Sequence, residues 1–462
     1  MTDLKFSTLP LASELLDNID SLGYEKMTPI QAQSLPSILE GKDLIAQAMT
    51  GSGKTAAFGL GILAGLDLQK SDVQALILCP TRELADQVSK AIRQLARMMP
   101  NIKLLTLCGG ALYKPQVKSL SYGAHIVVGT PGRINKHLRK ENLDLANLSI
   151  LVLDEADRML EMGFQEELDA VFDAAPKSRQ TLLFSATYPK RIESISQKIM
   201  NDPLMIQLEQ KHDSSSIKQS FYKVKDEDQR LHALFLLLLE HKPESAVVFC
   251  ATKLEAQELR DDLIDEGFQA MALHGDLEQR DRDETLVRFA NKSIAILVAT
   301  DVAARGLDID SIDAVFNYHV SRDFEVHVHR VGRTGRAGKS GIACSLYSSK
   351  ESHKMSLLEK YLDIEITNDK LPNEDVLDQK RWQAPMSTLK IKSGKKQKLR
   401  PGNILGALTG EGGLTGEQVG KIHIFDHHAF VSVNREKVRL ALKKLEEEKW
   451  KGRTLQAFLL RD

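Results

Sequence analysis

DLIAQAMTGSGKTAAF (43–58) is a short apolar run, a glycine-rich turn ending in Lys54-Thr55, and the start of a second apolar stretch. It reads as a buried strand, a phosphate-binding loop and a helix. Glycines let the loop turn tightly, its amide N–H groups wrap phosphate oxygens, and the N-terminus of the next helix adds positive potential. Thr50, Gly51, Ser52, Gly53, Lys54 and Thr55 are the candidate cradle. Lys54 would reach the β- and γ-phosphates of ATP, and Thr55 would bind Mg2+. Ala48 stands where the generic pattern has its leading glycine. A glycine-rich turn with a chance lysine is the ordinary alternative, and the strand and helix on either side argue against it.

Outward from this loop, QALILC (74–79), HIVVGT (125–130), SILVLDEAD (149–157) and QTLLFSAT (180–187) read as buried strands, with helical patterns such as Glu83–Met98 between them. Strands apolar on both faces and separated by helices imply a parallel sheet wrapped by helices. Such a sheet binds ligands at the carboxyl ends of its strands. Asp154-Glu155-Ala156-Asp157 sits at one of those ends. Asp154 would hold Mg2+ through water, and Glu155 would orient and deprotonate an attacking water. An acidic helix cap is the everyday reading of such letters; their place after a strand and a P-loop favours the site.

The polar stretch QKHDSSSIK (210–218) reads as a linker, after which the same rhythm restarts with AVVFC (246–250), QAMAL (269–273), AILVAT (295–300), DAVFNY (313–318) and GIACSLY (341–347). A second polar stretch runs to Ala384. Beyond it, TLKIKS (388–393), KIHIF (421–425), FVSV (430–433) and TLQAFLL (454–460) alternate with two helical segments in the order β-α-β-β-α-β. The expected organisation is a first α/β domain over 1–208, a linker over 209–218, a second over 219–365, a linker over 366–386, and an α+β domain over 387–462.

Composition removes several classes. With 462 residues, 42% hydrophobic and 27% charged, the chain is an ordinary globular one of roughly two to four domains. The longest apolar run, Ala233–Leu239, is far shorter than the ~20 residues of a membrane span. No secretory signal is visible, and four scattered cysteines without a C-x-x-C pair argue against disulfides and zinc. A cytoplasmic location is expected. The net charge of −1 hides an asymmetry: residues 380–462 carry 18 Lys and Arg against 8 Asp and Glu, which suits a polyanionic partner.

HRVGRTGR (329–336) offers arginines in the second domain, and Arg333 and Arg336 are candidates to neutralise charge on the γ-phosphate. At this point the residues resemble a known family. Phe6, GYEKMTPIQ (23–31), AMTGSGKT (48–55), PTRELA (80–85), Gly109-Gly110, TPGR (130–133), DEAD (154–157), SAT (185–187), VFCAT (248–252), QRDR (279–282), ATDVAARGLD (299–308) and HRVGRTGR follow the order of the DEAD-box RNA helicases. Ala48 is the usual residue there. The resemblance implies two RecA-like domains and RNA-stimulated ATP hydrolysis that drives local duplex unwinding. It implies that Thr28 and Gln31 read adenine with Phe6 packing nearby, and that Asp308 bonds the ribose. It implies that Asp157, Ser185 and Thr187 couple the nucleotide to RNA. Backbone contacts to RNA, carried over, fall on Arg82, Gly110, Thr130, Arg133, Arg282 and Thr300.

IHIFDHHAFVSV (422–433) keeps part of an RNA-recognition-motif signature, Phe430-Val431, without its basic-Gly-aromatic-Gly start. TLKIKS has no aromatic residue to stack a base, and Phe430 reads equally as core or stacker. RNA binding is therefore expected on other surfaces: the basic loop Lys392, Lys395, Lys396, Lys398 and Arg400, and the end around Lys449, Lys451 and Arg453. KSGKKQKLRPGNILGALTGEGGLTGEQVGKI (392–422) and ALHGDLEQRDRDETLVRFAN (272–291) resemble the DbpA subgroup of the family. That implies a monomer that binds a 23S ribosomal RNA hairpin and acts in large-subunit assembly, with no DNA or membrane partner. An ATP-gated RNA clamp or annealing factor uses the same residues, so the sequence leaves that alternative open.

Overall fold

The fold is given by a computed structural model, which describes residues 5–48, 51–208, 217–304, 312–335, 340–447, 449–450 and 453–460. The chain divides into two compact units, Met1–Lys211 and His212–Asp462.

The first unit is built on seven parallel strands: β1 (Leu44–Gln47), β2 (Ala75–Leu78), β3 (Leu104–Leu107), β4 (Ile126–Gly129), β5 (Ile150–Asp154), β6 (Gln180–Ser185) and β7 (Leu204–Gln207). Their order across the sheet is β3-β4-β2-β5-β6-β1-β7. Successive side chains feed opposite layers, as strand geometry requires. Val152 of β5 joins the core cluster that holds Phe58 and Ile92. Its neighbours Leu151 and Leu153 join the one that holds Met159 and Leu168.

The second unit begins with a six-stranded parallel sheet: β8 (Ile217–Val224), β9 (Ala246–Cys250), β10 (Ala270–Leu273), β11 (Ile296–Thr300), β12 (Ala314–Asn317) and β13 (Gly341–Ser348), in the order β10-β11-β9-β12-β13-β8. Strand β8 starts at Ile217, inside the stretch read as linker. The expected strands leave out β3 (LLTL), β7 (LMIQ) and β8 (IKQSFYKV), and all three lie at sheet edges. An edge strand is covered less than a central one, so its sequence need not be apolar on both faces. In β7 only Ile206 is buried.

Residues 366–385 form a strap against this second sheet domain. Asp369 exchanges hydrogen bonds with Phe221 (backbone N–H to Phe221 O, 2.8 Å; Phe221 N–H to Asp369 Oδ2, 3.1 Å). Val376 is buried, Trp382 Nε1 donates to Pro243 O at 3.1 Å, and the Arg381 guanidinium lies over the Phe268 ring.

The C-terminal domain is an antiparallel sheet of β14 (Met386–Ile391), β15 (Val419–Ile424), β16 (Ala429–Asn434) and β19 (Ala457–Leu459), in the order β15-β16-β14-β19. β17 (Lys449–Trp450) and β18 (Arg453–Thr454) form a short separate ladder. Helices Pro401–Thr409 and Val438–Glu447 contribute Ile404, Leu408, Ala441 and Leu445 to the core. The other face of the sheet holds Thr388, Lys390 and Phe430, and it is covered. Lys390 Nζ bonds Glu284 Oε2 at 2.7 Å and sits over the Phe430 ring. Thr388 Oγ1 meets Ser293 Oγ at 2.7 Å, and Arg435 Nη2 donates to Gln269 Oε1 at 3.1 Å. Phe430 is 1% exposed, which settles it as an interior residue of this unit.

A charge cluster closes the carboxyl ends of β9, β12 and β13. Arg230, fully buried, donates to Tyr318 O (2.6 Å), Leu346 O (3.0 Å) and Glu351 Oε2 (2.8 Å). His319 Nε2 donates to Glu255 Oε1 at 2.5 Å, and its Nδ1 lies 3.9 Å from Glu351. Burial alone would push the imidazole down, but the hydrogen bonds to Glu255 and Glu351 outweigh it and raise His319 from 6.5 to about 9. A raised folded-state pKa stabilises fully below the unfolded value and stops doing so as pH climbs through the folded one. The second unit is therefore expected to lose about 2–3 kcal/mol between pH 6.5 and 9, and His319→Gln to flatten that slope. Urea unfolding across this range checks it; an equal slope in both proteins would refute the assignment.

Candidate functional site

The carboxyl edge of the first sheet is shared between two groups of residues. Strands β3, β4 and β2 lie side by side and are followed by Gly110, Thr130–Arg133 and Arg82. Strands β5, β6 and β1 form the other half and lead into Asp154–Asp157, Ser185–Thr187 and the glycine loop. One edge thus brings both sets of sequence-predicted residues together.

In the glycine loop, Gly51 and Gly53 have φ of 87° and 98°, a region that side chains disfavour. A Cβ on Gly53 would also strike the Gln31 amide. Lys54, 6% exposed, folds its Nζ back onto Ala48 O at 3.0 Å. Thr55 is half-buried one residue on. Gln31 accepts from Thr28 N–H through Oε1 (2.9 Å) and donates from Nε2 to Gly53 O (3.1 Å). The Gln31 amide therefore ties the helix Pro29–Leu39 directly to the phosphate loop. Phe6 is buried and stacks on Tyr24 with ring centroids 6.4 Å apart. Thr50 lies outside the described residues.

Asp154 ends β5 and is buried. Burial, opposed by Lys54 and aided by Glu155, raises its carboxyl to about 6. Its Oδ1 is buried without a hydrogen-bond partner. An orphaned carboxylate oxygen in a dry site is what a divalent cation would satisfy, so the donor set fits Mg2+. Glu155 follows in the left-handed region at φ 52°, ψ 53°. This conformation costs a non-glycine residue of order 1 kcal/mol or more, and it turns the chain sharply from strand to helix.

Asp157 accepts from Thr187 N–H (3.1 Å) and Thr187 Oγ1 (2.9 Å) through Oδ2, and from Arg158 N–H through Oδ1. Its own N–H faces Ser185 Oγ at 3.4 Å. The acidic tetrad and the SAT turn are thus hydrogen-bonded directly.

On the other half of the edge, the Arg82 guanidinium lies so close to Gly110 that a Cβ there would overlap it, and Gly110 has φ 75°. Thr130 caps the helix Pro131–Arg139, and Arg133 on that helix donates to Gln116 Oε1 at 2.6 Å. In the second unit, Arg282 Nη2 donates to Ala303 O at 2.8 Å, three residues past Thr300 at the end of β11. Arg333 is half-buried after the helix Phe324–Val331. Arg336 and Asp308 lie outside the described residues.

One residue escaped the sequence reading. Arg330, 3% exposed, forms a two-pronged pair with Asp301 (2.6 and 2.8 Å), and its Nη1 donates to Asn317 Oδ1 and His319 O. Arg330 thereby ties the end of β12 to Asp301 beyond β11.

In the C-terminal domain, Lys392, Lys395, Lys396, Lys398 and Arg400 are all exposed. Buried Leu399 anchors their loop. The N–H groups of Lys395 and Lys396 donate to Phe425 O and Asp426 O, and Lys396 Nζ donates to His427 Nε2 at 2.9 Å. The backbone that carries Lys395 and Lys396 is thereby tied to the turn at Phe425–His428, and Lys392 lies over the Phe458 ring. Lys451 lies outside the described residues.

Thr187→Val keeps the side-chain shape and removes one charge-assisted bond to Asp157. It is expected to cost the first unit roughly 1.5–3 kcal/mol and to lower RNA-stimulated ATP turnover while leaving ATP affinity intact. Denaturation and steady-state ATPase assays check both; full RNA stimulation in the variant would place the coupling elsewhere.

Comparison with known proteins agrees with this geometry. The chain matches the DEAD/DEAH box helicase family over residues 28–195, the helicase conserved C-terminal domain over 228–338 and the DbpA RNA binding domain over 388–457. It is 50% identical over 457 residues to the ATP-dependent RNA helicase DbpA of Escherichia coli strain K12, covering 99% of each chain. It is 43% identical over 355 residues to the DEAD-box ATP-dependent RNA helicase CshA of Bacillus cereus, covering 77% of this chain and 67% of that one. Among solved structures, S. cerevisiae Dbp5 bound to RNA and ADP BeF3 superposes with a TM-score of 0.72 at 32% identity, over 80% of this chain and 96% of that one. Two RecA-like sheets, the shared carboxyl edge and these likenesses together establish that the chain belongs to the DEAD-box ATP-dependent RNA helicases and carries a DbpA-type RNA-binding domain.

Proposed function

We propose that this helicase hydrolyses ATP at the glycine loop and the acidic tetrad to separate short RNA duplexes, and that its C-terminal domain directs it to a hairpin of 23S ribosomal RNA during assembly of the large ribosomal subunit. Lys54 leaves Ala48 O for the β- and γ-phosphates, and Thr28 and Gln31 hold the adenine while Gln31 stays in touch with the loop. Asp154 and Thr55 would hold Mg2+, which when bound supplies charge neutralisation at the phosphates. Glu155 orients the attacking water and takes its proton, with Arg333 and Arg336 as the cations for the developing charge. Arg82, Gly110, Thr130, Arg133, Arg282 and Thr300 hold the sugar–phosphate backbone, which carries no base sequence. The protein works as a monomer in the cytoplasm.

The observation that carries the targeting is the exposed basic loop on a domain whose stacking face is covered. With Phe430 interior, base recognition falls to Lys392, Lys395, Lys396, Lys398, Arg400 and the turn they rest on.

The test is strand displacement on a duplex joined to the hairpin. ATP-dependent displacement is expected. Glu155→Gln is expected to abolish turnover and keep hairpin binding. Changing Lys395, Lys396 and Lys398 to Glu is expected to erase the preference for hairpin-bearing RNA and to lower the salt dependence of binding by about 2–3 in slope. Tight ATP-gated binding without displacement would identify a clamp or annealing factor. Unchanged hairpin preference in the triple variant would refute the loop assignment.

A further inference from the structure

Behind Arg133 lies a cluster of side chains that neither nucleotide chemistry nor packing alone explains. Gln116, on the helix Tyr113–Leu120, is 8% exposed. Its Nε2 donates to Cys108 O at 3.1 Å, which fixes which end of the amide is oxygen. That oxygen accepts from Arg133 Nη1 at 2.6 Å and from His137 Nε2 at 3.0 Å. His137 is fully buried, and burial, with Arg133 and Lys136 adding to it, drives its imidazole down to about 4. The Gln116 oxygen can only accept, so His137 Nε2 carries the proton and donates to it. Arg133 Nη1 and Nη2 also donate to Ala111 O at 3.2 Å, next to Gly110. The Tyr113 ring stacks on His137 with centroids 4.6 Å apart, lies 5.6 Å from the guanidinium carbon, and is held by Asn142 through its hydroxyl at 2.7 Å.

An arginine side chain loses much rotamer freedom when fixed, and a pre-set planar fork binds a phosphate without that loss. Gln116 and Ala111 fix one side of the fork. The guanidinium remains half-exposed at the carboxyl end of β4.

We propose that Gln116 is a positioning residue for RNA: it orients Arg133, with His137 and Tyr113 fixing Gln116 and the guanidinium plane, so that the fork meets an RNA phosphate already aligned. The proposal rests on the reading that Arg133 contacts the RNA backbone, and the two can fail separately.

The experiment measures RNA affinity and RNA-stimulated ATPase for the full chain carrying Gln116→Met, Arg133→Lys, Arg133→Ala, and Gln116→Met combined with Arg133→Ala. Single-stranded RNA is the probe, and thermal melting monitors folding. Gln116→Met is expected to weaken RNA half-saturation about tenfold, with the KM for ATP and turnover at saturating RNA unchanged. Arg133→Lys keeps the charge and loses the fork, and is expected to show a similar loss. The double variant should bind no worse than Arg133→Ala, because Gln116 acts through that arginine. Full affinity in Arg133→Ala would overturn the RNA-contact reading itself. Weak binding in Arg133→Ala with full affinity in Arg133→Lys would overturn positioning alone, even if Gln116→Met does not fold. Additive losses in the double variant would also overturn positioning.

Discussion

The hydrogen bonds that Thr187 gives to Asp157 tie the turn after β5 to the turn after β6 on the first sheet's working edge. Asp157 belongs to the turn after β5 and Thr187 to the turn after β6, neighbouring strands near the middle of the sheet. To one side lie the glycine loop and its lysine; to the other lie Arg82, Gly110 and Arg133. A buried carboxylate needs its acceptor capacity filled, and here both bonds on Oδ2 come from a single residue. Any rearrangement of the acidic tetrad must move the SAT turn or leave that carboxylate short of partners. The link between the two turns is thus a satisfaction constraint.

The same edge stores imbalance where chemistry needs it. Asp154 is buried with one oxygen unpartnered, Glu155 sits in a disfavoured backbone region, and Lys54 spends its charge on a carbonyl. Several buried charges elsewhere among the described residues are matched closely: Asp43 accepts from Thr181 N–H and Asn201 N–H, Arg330 pairs with Asp301, and Arg230 with Glu351. The contrast separates groups that hold the fold from Asp154, whose open carboxylate oxygen a bound cation can satisfy.

Much of this was legible in the sequence, for a definite reason. Central strands buried on both faces declare themselves as apolar runs, and loops at their carboxyl ends carry the motifs. The edge strand β8 did not, because its sequence, IKQSFYKV, is mixed. The grouping of Arg82, Gly110 and Arg133 on one half of the edge could not be read either, since strand order is not encoded in local pattern. Gln116 was invisible for a related reason: a lone glutamine on a helix acquires meaning only when Arg133, His137 and Cys108 converge on it. Arg330 and Arg333 look alike as letters and differ only in what surrounds them.

The covered sheet face of the C-terminal domain changes what that domain can contribute. A freely tethered RNA-binding domain raises the local concentration of duplex around the core and leaves its orientation open. Here Lys390–Glu284, Thr388–Ser293 and Arg435–Gln269 join the domain to the second sheet domain, and the strap over 366–385 is itself packed. Lys390 is 7% exposed, so separating the two surfaces would require rehydrating a charge pair and uncovering Phe430. The basic loop is thereby held at a fixed angle to the helix Gln279–Ala290 that carries Arg282.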